Sequence, residues 1–118
     1  MTTISALFAE LLRAEPALDA VLREHLADNG ALLSHLCMAD ITRWLVANGP
    51  AAPVLSVLEA AFIEGDADVR NVIFASFIEN IEQDDPAYQP LRSALGPSLR
   101  MALDEQGRWS PRDLEPPT

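Results

Sequence analysis

The chain has 118 residues, enough for one domain around a single core and too short for a catalytic domain joined to a regulatory one. Eighteen Asp and Glu oppose eight Arg, with no Lys, and the formal net charge of -10 excludes unaided binding to a phosphate backbone or an anionic membrane surface. A hydrophobic share of 49% excludes a solvated, disordered polyanion.

From Ile4 the apolar residues Ile4, Leu7, Phe8, Leu11 and Leu12 fall on one helix face, with Thr2 or Thr3 as the N-cap. Glu15-Pro16 breaks this helix and Pro16 restarts the chain. Leu18, Val21, Leu22 and Leu26 then form a second stripe that ends at Asn29-Gly30. Residues 31–48 are expected as the longest helix, with Leu33, Leu36, Cys37, Ile41, Trp44 and Leu45 on one side and Gly49-Pro50 as its stop. Pro53 opens a fourth helix, which carries Val54, Val57, Leu58, Ala61 and Phe62 and ends at Gly65.

Asp66 caps a fifth helix, 67–82. Its apolar residues Val69, Val72, Ile73, Phe74, Phe77, Ile78 and Ile81 point almost all the way round, as expected for a central element. Asp84-Asp85-Pro86 breaks it, a short helical turn follows around 87–95, and Gly96-Pro97 starts a last helix that stops at Gly107. No segment alternates as a strand does. The expected class is all-α, a compact bundle of about six antiparallel helices, with a two-layer stack of helical hairpins as the alternative. Residues 1–107 form the expected domain, and 108–118, RWSPRDLEPPT, form a Pro-rich extended tail.

The lone Cys37 has no disulfide partner and no second thiol for a zinc cluster, which fits a reducing compartment. The N-terminus lacks a basic export signal, and no uncharged run reaches membrane-spanning length, so a cytoplasmic protein is expected. His25 and His35 have no metal-ligand spacing, and each fits a structural role better than a catalytic one. The five glycines build no phosphate loop, and GDADVRNVIFAS lacks the ligand pattern of a calcium loop. No catalytic residue, metal or cofactor is expected. Asp40 sits on the flank of the Cys37, Ile41 and Trp44 face, where a half-buried carboxylate needs a partner such as Arg43 or Arg70. Trp44 is expected in the core. Trp109, in the polar tail, either tucks back onto the domain or anchors a partner.

The distribution of acid carries the clearest functional expectation. Glu64, Asp66, Asp68, Glu79, Glu82, Asp84 and Asp85 lie between 64 and 85, with Arg70 as the only base. A hairpin of helices 4 and 5 gathers the first three at its closed end and the other four near the far end of helix 5. One reading of this pattern is solubility, N-capping and helix-dipole chemistry. The other is electrostatic complementarity to a basic partner.

The stretches LLSHLCMADITRWLVAN, VLEAAFIEGDADVRNVIFASFIENI and LRSALGPSLRMAL resemble a family of small all-helical bacterial proteins of unassigned function, over roughly residues 31–103. Such proteins are similar in size, acidity and want of catalytic residues to immunity proteins that accompany polymorphic toxins. The resemblance implies a helical fold and no ligand residues. By analogy it implies an immunity protein that occludes the active or substrate-binding site of a cognate toxin, one that is itself basic if it acts on nucleic acid. The partner-binding candidates are the seven acidic residues and Trp109. A cytosolic helical adaptor that docks through Trp109 and the tail is the alternative, and an enzyme with an unfamiliar carboxylate site stands third.

Overall fold

The computed structural model describes residues 2–108, and over them the chain is all-α. Helix α1 spans Ile4–Ala14, α2 Leu18–Asn29, α3 Ser34–Asn48, α4 Ala52–Glu64 and α5 Ala67–Ile73. A π-helical segment, Phe74–Ile78, continues α5 directly. After a short 3-10 turn, Pro86–Tyr88, come α6, Gln89–Ala94, and α7, Pro97–Arg108. The fifth expected helix is thus an α-helix that widens into a π turn and stops before 82. The expected turn around 87–95 contains α6, and α7 runs through Gly107 to Arg108.

Short-range chemistry sets most of these boundaries. Thr3 Oγ1 accepts the Ala6 N–H at 3.3 Å to start α1, and Asp66 Oδ1 accepts the Val69 N–H at 2.9 Å to start α5. Gly30 takes φ 73 at the end of α2, a left-handed conformation that glycine adopts without steric penalty. Gly65 is required for a different reason: a Cβ there would lie 2.4 Å from the Ala61 carbonyl oxygen and 2.5 Å from Val69 Cγ1. The same turn is tied to the N-terminus, where the Asp66 N–H donates to the Thr2 carbonyl at 3.1 Å.

The α5–π element runs through the middle of the molecule, touching α1, α3, α4 and α7. Val69, Val72, Ile73, Phe77, Ile78 and Ile81 are all buried, which is why its sequence is apolar on nearly every side. Against it pack Leu7 and Leu11 of α1, Met38, Ile41 and Leu45 of α3, Leu58 of α4 and Leu99 of α7, all in one continuous core.

Three leucines assigned to core stripes by their spacing are instead exposed: Leu26 (44%), Leu33 (43%) and Leu36 (54%). For the latter two the cause is the start of α3, which begins at Ser34 rather than near 31, so Leu33 stands in the connection and Leu36 on the outer arc of the first turn, while Leu26 lies near the end of α2 on a side no neighbour covers. Trp44 is also partly exposed, packed on the core by one side only. No described helix is long and apolar enough to cross a membrane.

Candidate functional site

The acidic candidates divide as the hairpin reading expects. Glu64, Asp66 and Asp68 lie at the turn between α4 and α5, and Glu79, Glu82, Asp84 and Asp85 follow the π segment at the other end. The ten intervening residues, 69–78, separate the two groups by roughly 15–17 Å. Asp66 and Asp85 also serve as local caps, since Asp85 Oδ1 accepts the Ala87 N–H at 2.9 Å. Trp109 lies outside the described residues.

None of these seven carboxylates forms an ion pair among the described residues. Five of the arginines have other partners among the described residues. Arg23 pairs with Asp19, Arg43 with Asp40, and Arg70 places its guanidinium 5.7 Å from the centre of the Phe62 ring. Arg92 and Arg100 donate to main-chain carbonyls, Arg92 to that of Asp85 at 3.0 Å and Arg100 to that of Ser93 at 3.2 Å. No pole carboxylate is thus neutralised by a paired side chain among the described residues, although the Arg92 guanidinium, bonded to the main-chain carbonyls of Glu82 and Asp85, lies within the second pole.

Beside the first pole lies an open groove of about 800 Å³ between α4, α5 and α7. Phe62, Phe74 and Ala102 form its apolar lining, and Ile63 and Met101 stand on it 61% and 69% exposed. Sequence reasoning missed this feature. Met101 and Ser98 are distant from Ile63 along the chain, and only the docking of α7 on α4 brings them together.

That docking depends on one carboxylate. Glu59 of α4 accepts the Ser98 N–H at 2.6 Å and the Leu99 N–H at 3.1 Å, capping α7 from another helix. Gly96 lets it approach, since a Cβ there would lie 2.8 Å from Glu59 Oε2. The quoted stretches VLEAAF and LGPSLR thus hold two halves of one structural contact.

Two polar networks account for the histidines. His25 is buried, and its Nε2 accepts the Leu33 N–H at 3.0 Å, so in the neutral ring the proton is on Nδ1, which faces Asp40 Oδ2 at 3.3 Å. This links α2 to the start of α3 and gives the half-buried Asp40 a second partner beside Arg43. His35 Nδ1 shares a 2.7 Å hydrogen bond with the Ser76 hydroxyl on the π segment, while Thr42 Oγ1 and Asn80 Nδ2 both donate to the Ser76 carbonyl, at 3.2 and 2.7 Å. These donors satisfy a main-chain oxygen at the widened turn. Cys37 is fully buried, and its thiol is pushed up to about 11 by desolvation and by the nearby charge of Asp40. No group of His, Cys, Asp and Glu suited to a metal ion occurs among the described residues.

No curated protein and no solved structure matches the chain. A domain of unknown function, DUF7674, matches residues 8–110, from α1 to past the end of α7. That span takes in both halves of the Glu59 contact and both acidic poles, and the chain belongs to the DUF7674 family.

Proposed function

We propose that this protein is a cytoplasmic immunity protein that binds a cognate bacterial toxin and neutralises it by covering the toxin's active or substrate-binding surface. It acts by binding and not by catalysis. The observation that supports the reading is the unpaired state of the seven pole carboxylates among the described residues, while Arg23, Arg43 and Arg70 are engaged with other partners. Charge left unneutralised on a small domain costs self-repulsion, and a basic partner relieves it on association. A toxin that acts on nucleic acid must attract phosphate and supplies such a surface.

The test is to reverse Glu64, Asp68, Glu79, Glu82 and Asp84 to Lys, leaving the capping residues Asp66 and Asp85 intact. Association with the product of the adjacent reading frame should slow at low salt and lose most of its salt dependence, with the helical circular dichroism unchanged. Unchanged association kinetics would remove the poles from the interface. Deletion of residues 108–118 should leave binding in place; its loss would favour an adaptor that docks through Trp109.

A further inference from the structure

The groove beside the first acidic pole has the form of a missing helix. One wall presents Ala67, Arg70, Asn71 and Phe74, and the facing wall presents Ser98, Met101, Ala102 and Glu105. Each set repeats at i, i+3, i+4 and i+7, so each is a two-turn face of a helix turned toward the same space. Phe62 and Ile63 of α4 lie in the groove between them. Helices present such faces to another helix, and here none of the described elements fills the position. Ile63 and Met101, more than half exposed, are the side chains such a helix would cover.

The surrounding charge restricts what the added helix can be. Glu105 lines the groove, Asp104 adjoins it on α7, and Glu64, Asp66 and Asp68 neighbour Ile63 and Ala67 along the chain. The single lining cation, Arg70, lies over the Phe62 ring. An acidic helix or a second copy of this chain, itself carrying a net charge of -10, meets repulsion here.

We propose that the groove between α4, α5 and α7 receives an amphipathic helix of a partner protein, with an apolar ridge against Ile63, Phe74 and Met101 and Lys or Arg along its flanks toward the acidic rim. The partner residue opposite Arg70 is neutral or acidic. This deepens the protein-binding reading above, since it names the element of the partner that is grasped, and it is testable without the toxin.

The experiment titrates the full chain into three labelled synthetic peptides and reads fluorescence anisotropy. One peptide has a Leu ridge at i, i+3, i+4 and i+7 with Lys flanks, the second has Glu flanks, and the third scrambles the first. The Lys-flanked ridge should bind saturably and at least about tenfold more tightly than either control. The double variant Ile63→Asn and Met101→Asn, at exposed positions and without change of charge, should weaken it about tenfold or more. Leu36→Asn, on another surface, should leave it unchanged. Equal affinity for the scrambled peptide, no saturable binding, or an unaffected double variant overturns the proposal.

Two further outcomes assign the groove to another occupant and also overturn it: a many-fold gain in affinity on deleting 109–118, or a dimer in sedimentation equilibrium that the double variant abolishes. Toxin binding that survives the double variant but not pole reversal rejects the groove and keeps the immunity reading. Peptide binding with no toxin partner rejects that reading and keeps the groove.

Discussion

Glu59 and Ser98 stand 39 positions apart in the chain and 2.6 Å apart in space, the carboxylate of one accepting the main-chain N–H of the other. With the second bond to Leu99 at 3.1 Å, this contact closes the open N-terminus of α7 with a negative charge placed where the helix dipole favours it. It also fixes the wall that carries Met101 and Glu105, so the geometry of the groove depends on a residue of α4 that Ser98 reaches from the far side of Gly96.

Replacing Glu59 with Ala should therefore lower stability by about 1–2 kcal/mol, and Glu59→Gln by less, because its amide oxygen still accepts one of the two N–H groups. Gly96→Ala presses on the same carboxylate and should destabilise through the same contact. The two changes should be less than additive in a double-mutant cycle followed by urea unfolding. Full additivity would separate Gly96 from the cap.

Gly65→Ala should destabilise by about 1–3 kcal/mol, since the added methyl meets the Ala61 carbonyl oxygen and Val69 Cγ1, and main chain cannot move aside as a long side chain can. Thermal unfolding measures the loss. A melting point equal to that of the native sequence would show that the α4–α5 turn has more room than its geometry indicates.

Cys37 gives a pH signature. Burial raises its thiol from an ordinary value of 9.0 to about 11, with desolvation as the first cause and the Asp40 charge as the second. A group whose folded pKa lies above its unfolded value contributes stability fully below pH 9, and that contribution falls away as pH rises from about 9 to about 11. The full amount is about 3 kcal/mol. Unfolding free energies across that range should fall more steeply for the native chain than for Cys37→Ala, and alkylation of the native thiol at pH 8 should be slow until denaturant is added. Parallel pH profiles for the two chains would contradict this.

Leu36→Asn should change stability by less than about 0.5 kcal/mol, as at most exposed positions, whereas Phe77→Ala should cost about 3–5 kcal/mol. Chemical denaturation of the two variants tests whether the leucines of the α2–α3 region lie outside the core.

What the sequence makes legible follows the range of the interaction. Thr3 and Asp66 cap residues three positions away, and Gly49-Pro50 and Gly96-Pro97 interrupt helices by their own backbone preferences, so these boundaries are visible in the letters. The all-round apolar pattern of 67–82 marks the central element for the same local reason. The π turn is not legible, because the Glu79 N–H reaching back to the Phe74 carbonyl leaves no compositional trace. The exposure of Leu26, Leu33 and Leu36 is hidden too, since spacing identifies an apolar arc without saying which part of it a neighbour covers. Of the candidate site, the two acidic poles can be read directly from the chain. The groove cannot, because it exists only where α7 lies against α4 and α5.

The most direct test of the account is growth of cells that express the adjacent reading frame, with and without this protein, followed by isolation of the complex. The neighbour should arrest growth, this chain should restore it through a stable complex, and pole reversal should abolish rescue while leaving the fold intact. A harmless neighbour, or toxicity that persists beside soluble, folded protein, would contradict it.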